Sequence, residues 1–579
     1  MNGLGGRGTG IRGVENLPPQ LSNLALNRRK FLVGAGAVGA GAVTSVVLLG
    51  CSSSDDTAAP ATTAAPATTA APTTTTAAPI TEVVFGLSGD PDTLDPHTTI
   101  SGNAWVALAN VFDGLVMVDY ASSETPPPLL NGLAESFEQS ADGTTFNFKL
   151  RENVTFHDKT PWNSEAALFN FRRWFDEGFE YYYPLANSTV AGFIGGIQSY
   201  DAASEFEFVV QLEKPNAGWF DYLGRAPTFY MVSPDAVKAS GNEGFADVGV
   251  GTGPFVVESY TRGSELVLTR NEDYWNGAPE IERLIFVPVA DEPTKVSNLV
   301  TGAFQIAHEM SPDSFGQVEA SPDLRIEFAG KPVTFGFAGH MGFEPWSDPR
   351  VREAFSLAIN RDAIANGLLR GAGVPATQFY GLGNSAYDPT LVADPFDLDR
   401  AATLLEDAGV KDLVVSIKTS TSAMGVPSPA RILEQVQADL GQIGVKMEIT
   451  TMEWTSYLDE WFLGVPEPEP GQPMKLLSQA MGWDTNMLLG AYVGSASQPL
   501  PNFAWYESAE VDGLLDAANA STTPEGLIEQ LRAAQKAMMS DRPYIYIFHG
   551  LSPYGINNAV DWTPGASWAQ NLRLARSSA

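Results

Sequence analysis

The 579-residue chain has one cysteine, Cys51, which excludes an intramolecular disulfide, a thiolate zinc cluster and a redox pair of thiols. Basic residues are scarce: 34 Lys and Arg stand against 68 Asp and Glu, a formal charge of −34. Such a surface repels phosphate backbones, so nucleic acid is not expected as a partner, and the acidity reads as the solvated exterior of an exported protein. The five histidines, His97, His157, His308, His340 and His549, show no metal-ligand spacing. Core or surface roles are expected for them, and no metal. There is no Gly-x-Ser-x-Gly elbow and no His-Glu-x-x-His helix, so the chain is not expected to be an enzyme or to need a cofactor.

Residues 27–33 read Asn-Arg-Arg-Lys-Phe-Leu-Val, and no further charge occurs before Gly50. The pair Arg28-Arg29 ahead of a Gly/Ala-rich apolar run resembles a twin-arginine export signal; Asn27 stands where Ser or Thr is commoner, and the Sec route stays open. Leu48-Leu49-Gly50-Cys51 resembles a lipobox, in which the thiol is acylated and the chain cut before it. Twenty apolar residues can also span a bilayer uncleaved. The only cysteine falling directly after Leu-Leu-Gly favours the lipid anchor, at the outer face of the cytoplasmic membrane. Residues 52–80 are Ser, Thr, Ala and Pro with hardly an exception, lack aromatics, and read as a disordered tether. Gly34-Ala-Gly36-Ala-Val-Gly39 matches the spacing of a dinucleotide-binding turn but follows no strand, and is set aside.

From Thr81 onward strand-like and helix-like stretches alternate, which predicts an α/β architecture. Thr81–Ser88 and Phe146–Leu150 read as strands, and Trp105, Leu108, Ala109, Phe112 and Leu115 recur at helical spacing. Asp348-Pro349 opens a helix to Asn360. Two more run from Leu398 to Ala408 and from Pro429 to Ile443, stopping at Gly409 and Gly444. Each is followed by a strand, Leu413–Ile417 and Val445–Ile449.

Four stretches go further. They are Leu94-Asp-Pro96 with Val111-Phe-Asp-Gly-Leu115 and Phe146–Asp158; Gly251-Thr-Gly-Pro-Phe255 with Tyr274-Trp275; the Asp348–Asn360 helix; and Asn502–Leu515 leading to Asp541-Arg-Pro543. In this order they resemble the extracellular solute-binding proteins of ABC importers, family 5, the peptide and nickel type. The resemblance implies a two-lobed periplasmic-binding-protein clamshell of type II, in its large peptide-binding subclass, with an extra small domain. It implies a signal over 1–50, a tether over 51–80, lobe I over 81–120, 246–338 and 544–579, the small domain over 121–245, and lobe II over 339–543. It further implies a monomer that binds a peptide or peptide-like solute between its lobes and passes it to permease subunits.

In peptide-binding relatives an aspartate three residues after a Gly-Trp pair takes the ligand's ammonium group. Here Gly482-Trp483-Asp484-Thr485-Asn486 puts Asn486 at that position and Asp484 two residues early. Either Asp484 substitutes through a local shift, or the solute has no free amine and Asn486 makes neutral hydrogen bonds. Trp483 is a candidate stacking surface or a core residue. By resemblance, the Thr98–Asn103 loop, with Thr98, Thr99, Ser101 and Asn103, touches ligand backbone; read plainly it is a turn.

Overall fold

The computed structural model describes residues 79–578 apart from 123, 195, 421–425, 462–463, 468, 470, 482–487 and 499–501. Residues 1–78, which include Arg28, Arg29, Cys51 and nearly all of the stretch read as a tether, therefore lie outside the described residues.

Strand β1 (Glu82–Leu87) opens the first lobe, with Val83, Phe85 and Leu87 fully buried. The chain then leaves it for a ribbon of β2 (Val116–Val118) and β3 (Leu129–Asn131). Next come β4 (Ala134–Gln139), β5 (Thr145–Leu150), β6 (Ile197–Ser204) and β7 (Glu207–Leu212), an antiparallel sheet in the order β4-β5-β7-β6. One face of β5, with Phe146, Phe148 and Leu150, packs a separate apolar core around Trp162, Trp174 and Trp219. The alternation seen in the sequence is the pleat of a half-buried strand.

The chain returns through β8 (Phe255–Thr261), β9 (Glu265–Arg270), β10 (Arg283–Pro288) and β11 (Ile306–His308). Parallel pairing places β1 between β10 and β11. The return is locked by Asp113, which is fully buried and accepts hydrogen bonds from Thr252 Oγ1 (3.0 Å), Tyr274 OH (3.0 Å) and Trp275 Nε1 (2.9 Å). Burial pushes its carboxyl up and the three donors pull it back. The first two sequence stretches are thus one structural unit.

β12 (Leu324–Gly339) and β17 (Ile545–Asn557) are the long strands, with β13 (Gly373–Pro375), β14 (Val414–Ser420), β15 (Lys446–Met452) and β16 (Met474–Met481) between them in sequence. The large sheet runs β15-β14-β16-β12-β17-β11-β1-β10-β9-β8, with β13 beside β17. β12 and β17 pair twice. Leu324–Gly330 lies along Asn557–Leu551 in the first lobe, the register breaks, and Thr334–Phe337 lies along His549–Ile545 in the second. Beyond the break β12 takes β16 as its other neighbour.

The broken segment Lys331-Pro332-Val333 is clamped by Gly381-Leu382-Gly383. A Cβ on Gly381 would stand 2.8 Å from Val333 N, and one on Gly383 2.9 Å from Pro332 N.

The helices of the second lobe start as read and stop one or two residues earlier than expected. Asp348 Oδ1 caps the helix Pro349–Ala358 by accepting from Arg350 N at 2.8 Å. Leu398–Asp407 and Pro429–Gly441 are followed by Gly409 and Gly444 at φ +71° and +80°. The strands after them run three residues further than expected. The helix read through Leu115 is shorter: it spans Gly102–Leu108, and Phe112 and Leu115 are buried in the loop beyond. Asn110 ends it, its Nδ2 donating to Val106 O and Gln570 O and its Oδ1 accepting from Leu572 N.

Gly381→Ala is expected to cost about 1–3 kcal/mol, because backbone atoms of β12 cannot give way. Gly513→Ala, inside the helix Ala509–Asn519 with nothing within 4 Å, should instead raise stability by up to about 1 kcal/mol. Urea unfolding of both variants beside the parent checks the contrast.

Candidate functional site

Parallel α/β sheets present ligand sites at the carboxyl ends of their strands, where following loops leave a crevice. In the first lobe β1 ends at Leu87 and runs on into Ser88-Gly89-Asp90, and β11 ends at His308 before Glu309. In the second lobe β14, β15 and β16 run parallel. β16 ends at Met481, which pairs with Thr334, the first residue past the break in β12. Gly482 is next in sequence; Trp483, Asp484 and Asn486 lie outside the described residues.

The Thr98–Asn103 loop is built on a buried ionic knot. Arg173, on the helix Ser164–Phe175 of the small-sheet region, reaches Asp95 with Nη2 to Oδ2 at 2.6 Å and Nη1 to Oδ1 at 3.1 Å. Its Nη1 also donates to His97 Nδ1 at 2.7 Å. The proton of His97 therefore sits on Nε2, which donates to Tyr230 O at 2.8 Å. All three side chains are fully buried. Burial opposes the charge on Asp95, but Arg173 holds its carboxyl below the usual range. Burial, then Arg173, drives the His97 imidazole down to about 3, so it is neutral.

On this footing Thr98 Oγ1 donates to Asp95 O (3.1 Å) and Thr99 Oγ1 to Asp92 (2.8 Å). Both hydroxyl protons are thus given to residues just ahead of the loop. Ser101 caps the next helix with its backbone alone, and Asn103, half-buried, lies against Gly89. The loop thus sits at the carboxyl end of β1.

A second group at the crossing carried no motif. Lys331 is buried, its ammonium paired with Glu309 and 4.9 Å from the centre of the Trp568 ring. Burial pulls its amine down to about 7. His308 lies 3.9 Å from Glu309, and burial, then Lys331, keeps it far below its ordinary range. The one available signal was a lysine before a proline at the head of a long apolar strand.

The small sheet reaches the second lobe across the crevice. Gly143, in the turn between β4 and β5, lies against the Thr522 side chain, and Ala217 is buried with Phe379 and Tyr380. Of the histidines, four are buried and His157 is half-buried. Among the described residues no three His, Cys, Asp or Glu side chains gather as a metal site.

Residues 129–513 match the family model of bacterial extracellular solute-binding proteins, family 5. The chain is 26% identical over 482 residues to the di/tripeptide-binding protein 2 of Pseudomonas aeruginosa (strain UCBPP-PA14), covering 80% of this chain and 88% of the relative. It is 26% identical over 469 residues, with the same coverage, to the glutathione-binding protein GsiB of Escherichia coli (strain K12). Among solved structures it resembles HbpA2 from Haemophilus parasuis, with a TM-score of 0.74 at 23% identity over 86% of this chain and all of that one. It also resembles the periplasmic binding protein DppA from Helicobacter pylori in complex with the peptide STSA, with a TM-score of 0.68 at 22% identity over 86% and 98% of the two chains.

Arg173→Leu leaves Asp95 buried without its cation and should destabilise by about 3–5 kcal/mol. His97 and His549 have imidazoles held near 3 by burial, whereas the unfolded chain titrates near 6.5. Their contribution is complete above about 6.5 and is lost as pH falls towards 3, by up to about 1.4 kcal/mol per pH unit for each. Urea midpoints at pH 6.5, 5.5 and 4.5 should show a shallower slope for His97→Gln than for the parent.

Proposed function

The chain belongs to the bacterial extracellular solute-binding proteins of family 5, and on that premise we infer that it is the solute-binding component of an ABC importer, taking a peptide or peptide-like solute between its lobes and delivering it to the permease subunits. The observation that carries this reading is the meeting of both carboxyl edges at the crossing of β12 and β17, with the Thr98–Asn103 loop on one side and the end of β16 at Met481 on the other. Relatives named for di- and tripeptides and for glutathione support the solute class. The family consists of binding proteins rather than enzymes.

The finer parts of the proposal follow the sequence. Arg28 and Arg29 direct export, Cys51 carries the lipid, residues 52–80 tether the binding domain to the outer face of the membrane, and the protein works as a monomer. Lobe I comprises 81–120, 246–338 and 544–579, the small domain 121–245 and lobe II 339–543; the separate apolar core around Trp162, Trp174 and Trp219 supports this division. Asn486 at the expected carboxylate position favours a second solute type, one without a free amine, in the same crevice.

Thermal-shift titration of the full chain with tri-alanine and N-acetyl-tri-alanine separates these. A hundredfold excess over Kd stabilises by about 2.7 kcal/mol. If acetylation removes the effect, Asp484→Asn should remove it too. Equal stabilisation by both peptides assigns the role to Asn486. No response to either, with a non-peptide solute found on the purified protein by native mass spectrometry, overturns the peptide reading.

A further inference from the structure

Lys331 belongs to both lobes at once. Its backbone lies in the broken segment of β12, where Gly381 and Gly383 of the second lobe close on its carbonyl and on Pro332; a Cβ on Gly381 would stand 2.9 Å from Lys331 O. Its side chain, 4% exposed, turns into the first lobe and ends between Glu309 and the face of Trp568. While it stays charged, a desolvated ammonium over an indole ring is attracted to the ring face more strongly than an exposed one. Trp568 in turn lies against Gly102, whose Cβ position is 3.5 Å from the ring. Gly102 is the first residue of the helix that continues the Thr98–Ser101 segment.

We propose that Lys331 is the positioning residue that couples the crossing of the lobes to the Thr98–Asn103 loop, its ammonium fixing Trp568 as the seat of Gly102. The proposal rests on the interlobe reading of the solute site. The groups facing this ammonium are few. Glu309 is its partner, and His308 is uncharged. The neighbouring buried cation, Lys295, is already engaged, its Nζ donating to His308 O at 2.9 Å and Glu309 O at 3.2 Å and pairing with Glu292 at 3.0 Å. Because burial brings the Lys331 amine to about 7, the grip on the ring weakens as pH rises through neutrality.

Amide hydrogen exchange on the full chain without solute tests this. Lys331→Met should speed exchange at Gly102–Leu108 about tenfold, as expected for a lost local constraint, and leave β4 to β7 unchanged. Lys331→Arg, which keeps the charge over the ring, should retain protection, and the parent should lose part of it between pH 6 and pH 9 after correction for intrinsic rates. Parent-like protection in the Met variant, or acceleration spread equally over β4 to β7, overturns the proposal. Should that variant fail to fold, Glu309→Gln must show the same local acceleration, and its absence is equally fatal. Affinity for tri-alanine should also fall about tenfold in Lys331→Met. If the parent does not bind tri-alanine, the peptide reading falls while the exchange result still decides the role of Lys331.

Discussion

Everything in this molecule hangs on two long strands that pair with each other twice. β12 and β17 keep one register in the first lobe, lose pairing over the three residues Lys331–Val333, and pair again in the second, where the register shifts once more between Phe335 and Gly336. A sheet that ran through unbroken would weld the lobes into one rigid body, since ladder hydrogen bonds and pleat would continue across. A flexible linker would leave them independent. The break gives a defined crossing with backbone on every side: Gly381 and Gly383 on one flank, and β13 against Phe548–Gly550 on the other. His549 stitches the same point, its Nδ1 bonded to Thr334 Oγ1 and its Nε2 accepting from Thr377 N.

Most of the fold was legible because the second-lobe helices announce their ends chemically. Asp348-Pro349 opens one by capping, and Gly409 and Gly444 close others in a backbone region that side chains disfavour. The overlong helix through Leu115 failed for the opposite reason. Apolar spacing continued past Leu108, but Asn110 used its amide to bind backbone 460 residues away, and no local pattern carries that information. The five-residue stretch containing Asp113 read as identifying and structural, and it proved to be the acceptor around which Thr252, Tyr274 and Trp275 gather.

The candidate site was read from the sequence as two loops, and the charged groups around it carried no motif. The Thr98–Asn103 loop stands at the carboxyl end of β1, yet the hydroxyls of Thr98 and Thr99, which look like ligand donors in a sequence, donate to residues just ahead of the loop. What fixes that loop is Arg173, seventy-six residues from His97 and unmarked by any motif. Likewise Lys331 gave only the signal of one lysine in an apolar strand. Its partner Glu309 lies 22 residues upstream and its aromatic face, Trp568, comes from near the end of the chain; tertiary partners of this kind are invisible to periodicity.

The order of strands has a consequence for how the protein is made. β1 completes its sheet only with β11, and β11 in turn lies against β17, which ends at Asn557. Ile80 N donates to Ser577 Oγ across 497 residues. Such a topology has a high contact order in its first lobe: β11, the neighbour of the first described strand, waits for β17 about 240 residues later. The small-sheet region, whose four strands all fall between Ala134 and Leu212, can consolidate while the ribosome is still working. The first lobe cannot close until β17 has been made, and its nascent edge strands need shelter until then.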